Sequence, residues 1–357
     1  MPIKVLFVSY KLMSYRIPIF ERIGSNDDID LTILHSGKHS GYVTSSFKEE
    51  IIDFKKVGPF TYYNDSFKKY VANSDAVVCM FYLMNLSFIK LALRRKRSYK
   101  LLYWGIGVRA SYNSEFDSPT AMNYLRYFIA GRSDAMLFYS QYAKEKYVKK
   151  GINPEKIFVM PNTVEVLPKS STPIIKTSII FIGTLYKQKK IFELLDAYKY
   201  ALERMGNSVP KLEIVGDGAE FENIKNWIGA EKLTTKIELH GAIYEEKELK
   251  KLFEKSYACI SPGQAGLSVL KSFGYGVPFI THRNAITGGE RLNIKDGVNG
   301  CFFDDYNELK DIIINLTNEK DKYIKMGENA KQFYDSERTP DVMANGFISA
   351  ISFTTKK

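Results

Sequence analysis

The 357-residue chain is 45% hydrophobic and 25% charged, the proportions of a folded protein rather than a disordered one. It is longer than one hydrophobic core usually serves, so two domains are expected. Three scattered cysteines, Cys79, Cys259 and Cys301, exclude a disulfide framework or a zinc cluster and fit a reduced, cytoplasmic setting.

The opening MPIKVLFVSY is too short an apolar run for a secretory signal. The most apolar stretch, Ala76 to Ile89, is broken by Asn85 and Ser87 and falls short of the ~20 residues of a membrane span. The formal charge of +11 is uneven, because residues 1–170 hold 25 Lys+Arg against 15 Asp+Glu. A basic half can meet nucleic acid, an anionic membrane or an anionic substrate, or simply serve solubility. No recognition motif accompanies these cations, so nucleic acid is not an expected partner.

In chain order, strands are predicted at Lys4–Tyr10, Leu31–His35, Ala76–Phe81, Lys100–Trp104, Ala135–Tyr139 and Ile157–Met160, with amphipathic or charged stretches between them. The series restarts at Ser178–Gly183 and runs through Leu212–Gly216, Lys236–His240, Ala258–Pro262, Val277–Thr281 and Gly300–Phe303. Such alternation argues for two parallel sheets, each with helices on both faces. Between the series, PNTVEVLPKSSTPIIKTS carries Pro161, Pro168 and Pro173 among small polar residues and reads as a linker. The expected domains are therefore 1–165 and 166–335, with a helical segment at 336–357 packing back toward the first. The architecture is α/β, two Rossmann-like doubly wound domains facing a central cleft, and ligands belong at the carboxyl ends of the strands.

Four loops after strands of the second half can carry chemistry. In FIGTLYKQKKIFELLDAY, Gly183 ends a strand and Lys187, Lys189 and Lys190 precede a helix, which reads as a phosphate site or as a solvated lysine-rich turn. In LEIVGDGAE, Gly216 and Gly218 permit close approach of the backbone to a ligand. In SPGQAGLSVLKSFGYGVPFITH, Gly263 and Gly266 shape a turn that exposes the N–H groups of Gly266, Leu267 and Ser268. Lys271 lies about one turn into the helix that follows, where a cation is unfavourable unless an anion is near. In THRNAITGGERLNIKDGVNG, Gly288 and Gly289 precede Glu290, a carboxylate able to enter the cleft.

Together these loops resemble the donor-sugar domain of GT-B glycosyltransferases, particularly glycosyltransferase family 4. Gly183, Thr184 and Lys189 match the family's diphosphate loop, with Thr184 where an arginine is usual. IVGDG at 214–218 matches closely, and HGAI at 240–243, with Gly241 and Ile243, resembles the segment that contacts the nucleotide base. PNT at 161–163 is similar to the motif closing the first domain. The resemblance covers most of the chain and is strongest from about 130 to 303.

The pattern departs from the family at informative places. Two glutamates eight positions apart are usual, one near the transferred sugar and one on the ribose; this chain has Gly263 and Lys271 there. The sequence is closer to a subgroup of bacterial capsule and O-antigen transferases that also lacks the second glutamate and has a glutamate at the position of Glu290. In the first half, LLYWGIGVRASYN resembles that subgroup's tryptophan-glycine loop, with Trp104, Gly105, Gly107 and nearby Arg109. Ile106 stands where a histidine is frequent. Ser14, Tyr15 and Arg16 resemble the loop that faces donor phosphates or acceptor.

The resemblance implies transfer of a sugar from a nucleoside diphosphate sugar to a hydroxyl of an oligosaccharide or lipid-linked acceptor, with retention. Fixed dipoles and cations aimed at the leaving diphosphate are the main catalytic resource. Lys189 and Arg16 are expected there, and Glu290 is expected to orient sugar hydroxyls. Gly183, Thr184, Lys187, Gly216, Gly218, Gly241, Ile243, Gly263, Gly266, Leu267 and Lys271 form the expected donor site. No cofactor or metal is expected, since no Asp-x-Asp motif follows a strand. NLSFIKLALRRKRSYK, residues 85–100, reads either as a helix lying on an anionic membrane at the inner face of the plasma membrane or as an ordinary surface helix. A nucleotide-sugar epimerase and a catalytically silent nucleotide-sugar-binding subunit are the competing functions.

Overall fold

The computed structural model describes residues 1–111, 115–172 and 174–355. Tyr112 and Asn113 of the tryptophan-glycine loop and Pro173 of the linker lie outside the described residues. Two compact units divide the chain: Met1–Arg109, Asp117–Thr163 and Thr339–Lys357 form the first, and Ala110–Phe116 with Val164–Arg338 the second.

The strands of the first unit are β1 (Ile3–Val8), β2 (Ile29–His35), β3 (Lys48–Ile51), β4 (Phe54–Val57), β5 (Phe60–Tyr63), β6 (Ala76–Met80), β7 (Lys100–Gly105), β8 (Ala135–Phe138) and β9 (Ile157–Val159). Its helices are α1 (Ile17–Gly24), α2 (Ser66–Ala72), α3 (Leu86–Leu93), α4 (Met122–Gly131) and α5 (Gln141–Val148). Seven strands pair in the order β3-β2-β1-β6-β7-β8-β9, every pair parallel. The runs KVLFV, AVVCM and LLYWG form its centre because apolar side chains on both sides of a strand need cover on both faces, which parallel crossovers supply.

The second unit has β10 (Ser178–Ile182), β11 (Lys211–Val215), β12 (Ile237–Gly241), β13 (Ser256–Ile260), β14 (Phe279–His282) and β15 (Gly300–Phe303), all parallel in the order β12-β11-β10-β13-β14-β15. Its helices are α6 (Ile191–Met205), α7 (Phe221–Ala230), α8 (Glu246–Glu254), α9 (Ser268–Gly274), α10 (Tyr306–Asn318) and α11 (Lys320–Glu337). The last helix, α12 (Pro340–Thr355), belongs to the first unit, where Met343, Phe347 and Ile351 join the core around Phe7, Ile19 and Trp104. Phe347 lies edge-on to Phe7 at 5.5 Å and to Trp104 at 5.8 Å.

Strand order reverses beside β1 in one sheet and beside β10 in the other. The crevice at such a switch point, at the carboxyl ends of the strands, is where open α/β sheets bind ligands. The Arg16 segment follows β1, the Lys189 segment follows β10, and the Gly263 segment follows β13.

Three strands, β3, β4 and β5, were not legible in the sequence. KEEI of β3 and FKKV of β4 lack alternating apolar residues, and every residue of β4 is exposed; pairing with neighbours, not burial, makes them strands. The segment 85–100 also differs from one continuous amphipathic helix. α3 stops at Leu93, Arg94 is extended at φ −66°, ψ 124°, and the helix buries Ser87, Phe88, Leu91 and Ala92 inward. Leu93 alone of its apolar residues stands well exposed, at 46%.

Candidate donor-binding site

The Lys189 loop is built by glycine contacts. Gly183 has φ +152°, and a Cβ there would stand 2.9 Å from Lys189 Nζ. The missing side chain is therefore the space that lets the lysine fold back over the end of β10. Tyr186 and Lys189 belong to a short turn, and Lys190 takes the left-handed conformation (φ 54°) before α6 begins. Lys189 is 7% exposed. Burial pulls its ammonium down to about 8, because a charge removed from water is disfavoured unless something compensates it. Its Nζ lies 5.8 Å from the Tyr186 ring centre, and among the described residues no carboxylate pairs with it.

The loop after β13 packs directly on this segment. Gly263 N–H donates to Lys189 O at 3.1 Å, and a Cβ on Gly263 would stand 2.0 Å from Gln188 O and 2.8 Å from the Lys189 carbonyl carbon. A glutamate at 263 cannot enter this packing unless the 187–190 segment moves. Gln264 receives a hydrogen bond from Tyr186 OH. Residues 263–265 also pair with Ile286, through Ala265 N–H to Ile286 O at 2.8 Å and Ile286 N–H to Gly263 O at 2.9 Å. Among the described residues no acceptor is bonded to the N–H of Gly266 or Leu267, which stand half-buried ahead of α9.

The loops after β11 and β12 complete the edge. Gly183 N–H donates to Val215 O, Gly216 N–H to Gly241 O and Leu185 N–H to Asp217 O. Thr184 and Lys187 are exposed, and Gly218 and Ile243 are half-buried on the same rim. Tyr244, next in the chain, is 91% exposed.

Lys271 has its anion, and it is a side chain. Lys271 Nζ lies 2.5 Å from a Glu246 oxygen, and Tyr275 OH donates to the other oxygen at 2.5 Å. Burial and that hydrogen bond raise the Tyr275 phenol far above its ordinary value, so it stays a donor. Glu246, about a third exposed, is a functional candidate that sequence reasoning missed. Its only signal was a glutamate pair opening α8, which also suits a helix N-terminus.

Glu290 follows Gly289 (φ 119°) and accepts from Gly288 N–H at 3.1 Å. Buried Thr287 braces this turn by accepting from Gly289 and Arg291 N–H, and Thr287 N–H bonds Ser111 Oγ at 2.8 Å.

In the first unit, the Arg16 guanidinium stacks on Trp104 at 4.2 Å and donates to Tyr15 OH at 3.0 Å and Tyr139 OH at 3.3 Å. Among the described residues, Arg16 Nη1 and Trp104 Nε1 are buried without a hydrogen-bond partner. Gly105 and Gly107 take positive φ, and Gly107 O accepts from Tyr147 OH at 2.8 Å. Arg109 donates to Ser118 Oγ at 3.2 Å, and Ser14 is exposed. The fold thus brings Tyr15, Arg16 and Trp104 together; Arg109 is engaged elsewhere.

Among the described residues Glu213, Glu238 and His240 form the one group spaced to hold a metal ion. Lysines already engage its carboxylates: Glu213 meets Lys255 at 2.5 Å and Glu238 meets Lys211 at 2.6 Å, while His240 Nε2 lies 2.6 Å from Glu213.

Residues 166–333 match the family described as "Glycosyl transferases group 1". Among curated proteins, the chain is 26% identical to the poly(glycerol-phosphate) alpha-glucosyltransferase of Bacillus subtilis over 59% of this chain and 32% of that one. It is 25% identical to the trehalose synthase of Thermococcus litoralis over 58% and 55% of the two chains. The chain therefore spans about a third to a half of the length of these relatives. Among solved structures, HepE of Anabaena in complex with UDP aligns with a TM-score of 0.72 at 14% identity over 99% of this chain and all of that one. TarM of S. aureus aligns at 0.69 and 11% over 98% and 99%, and the pneumococcal O-GlcNAc transferase GtfA at 0.71 and 12% over both full chains. The chain has the GT-B fold, two Rossmann-like parallel-sheet units, and the glycosyl-transferase match lies within the second.

Proposed function

We propose that the chain is a glycosyltransferase that moves a sugar from a nucleoside diphosphate sugar to a hydroxyl of a saccharide acceptor. The observation that carries this reading is Lys189, a buried ammonium with no carboxylate partner among the described residues, at the switch point of the unit that matches group 1 glycosyl transferases. A nucleoside diphosphate supplies the missing anion.

As the glycosidic bond breaks, charge grows on the departing diphosphate, and preorganised donors stabilise it more than they stabilise the ground state. Lys189 and the N–H groups of Gly266 and Leu267 take that role. Glu290, held by Gly288 N–H, orients hydroxyls of the transferred sugar. Glu246, fixed from two sides by Lys271 and Tyr275, accepts from hydroxyls of the nucleoside. In the first unit, Arg16 offers a half-buried guanidinium to an anionic group of a substrate. We further infer retention at the anomeric carbon, with the leaving phosphate receiving the acceptor proton, and no requirement for a metal. The acceptor is lipid-linked and the product belongs to bacterial surface polysaccharide. The UDP and saccharide ligands of the structural neighbours support the donor and acceptor classes.

The test is a panel of nucleoside diphosphate sugars scored for thermal stabilisation and slow hydrolysis, with EDTA present throughout. One donor should give both, and Lys189→Ala should lower hydrolysis by about 10²–10³-fold, the usual effect of removing one donor to a developing charge. Stabilisation without turnover, even with lipid-linked acceptors, would identify a silent binding subunit instead.

A further inference from the structure

The positive charge of the first half is concentrated between Asp53 and Lys100, which hold ten Lys and Arg against three Asp. The fold gathers much of it around one feature. β4 and β5 form a two-stranded antiparallel hairpin outside the main sheet. Its inner strand is tied down: Thr61 N–H donates to Met84 O at 2.9 Å, Tyr63 N–H to Ser87 Oγ at 2.9 Å, and Tyr63 is buried. Its outer strand and tip, Phe54–Phe60, are exposed at every residue.

Two properties of this feature point to a ligand. The tip presents apolar side chains to solvent, Val57 at 62% and Phe60 at 38%, around Gly58 and Pro59. Between the hairpin, α2 and α3 lies a cavity of about 310 Å³, lined by Lys55, Lys68, Lys90 and Arg94 with Asp65 as its one carboxylate. Asp65 is engaged by Lys68 at 2.6 Å, which leaves three cations around the cavity. Lysines alone would only guard an edge strand against pairing. An open basic cavity rimmed by exposed Lys55, Lys90 and Arg94, next to an exposed apolar tip, instead matches a surface with two layers, an anionic one and an apolar one behind it.

We propose that this face docks on an anionic bilayer, with a lipid phosphate held among Lys55, Lys90 and Arg94 while Val57, Pro59 and Phe60 enter the boundary between headgroups and acyl chains. The inference rests on the unit's own geometry and deepens the membrane-linked acceptor of the proposed function. It moves the contact from an amphipathic helix to the hairpin, since α3 spends its apolar face on the core.

The experiment is co-sedimentation of the full chain with phosphatidylcholine vesicles, with and without about 30% phosphatidylglycerol, at low salt and at roughly 0.5 M NaCl. The wild type should bind only the anionic vesicles. Lys90→Glu with Arg94→Glu should weaken that binding about tenfold or more, and Val57→Asp with Phe60→Ser should remove the fraction that survives high salt. Circular dichroism melts verify that both variants fold, and donor-sugar hydrolysis should be unchanged in both. Wild-type protein that ignores anionic vesicles, or variants that bind like wild type, would overturn the proposal. So would stabilisation by inorganic phosphate, lost in the Lys90/Arg94 variant, without vesicle binding, which would mark a soluble-phosphate site. Because hydrolysis is read separately, failure here is distinguishable from failure of the transferase reading.

Discussion

Lys189 and Lys271 are two lysines of one domain, the first just ahead of α6 and the second in the last turn of the short α9, and the fold treats them oppositely. Lys189 is buried with no carboxylate beside it among the described residues, whereas Lys271 is closed by Glu246 at 2.5 Å. A buried charge without a partner is costly and persists where an occupant completes it. A paired one is finished within the protein, and its use is to hold its partner still. The first cation therefore belongs to the ligand, and the second belongs to Glu246.

The sharpest way to break this contrast is to remove each charge with methionine. Lys189→Met should abolish stabilisation by the donor and lower turnover about 10²–10³-fold, with no loss of ligand-free stability, because an uncompensated desolvated charge has gone. Lys271→Met should leave turnover within about tenfold and mainly raise KM, since Glu246 keeps Tyr275 but loses half its support. Equal effects of the two substitutions on kcat would erase the distinction.

Next in size is Gly263→Glu, which places a glutamate where the pattern this chain resembles usually has one and this chain has none. With Gln188 O only 2.0 Å from the new Cβ, overpacking should cost about 1–3 kcal/mol, read by urea denaturation, and should displace Lys189 from the donor. Undiminished stability would mean that the 187–190 segment yields without resistance.

The smallest effect is in pH. Lys189 titrates near 8 in the folded protein, below its ordinary value of 10.5, so the unfolded chain binds more protons across that window. Ligand-free stability attributable to this group should therefore rise from pH 8 toward 10. Diphosphate affinity should do the opposite, constant below 8 and falling up to about tenfold per unit above it. Lys189→Arg should flatten that limb in a titration by calorimetry.

Much of the site was legible because backbone requirements leave marks in the sequence. Gly216 and Gly263 sit where neighbouring backbone, at Gly183 O and Gln188 O, comes too close for a Cβ, and Gly183 leaves room for the Lys189 side chain; their spacing after apolar runs signalled the loops. Glu246 was not legible, because its partners Lys271 and Tyr275 lie 25 and 29 residues away and only the packing of α8 beside α9 brings them together. The Arg16–Trp104 stack is of the same kind, joining a loop after β1 to the end of β7 across the sheet.

The sequence by itself determined the alternation of strand and helix, the parallel sheets and the loops at their carboxyl ends, since these follow from local periodicity and from glycine placed where the chain turns. Only the tertiary structure decided which lysine is satisfied and which is not, that a glutamate at 263 has no room, and that FKKV is a strand beside a basic cavity. Those outcomes depend on what lies within a few ångströms across the fold, and charge pairing, burial and steric room are properties of that neighbourhood rather than of the chain's local pattern.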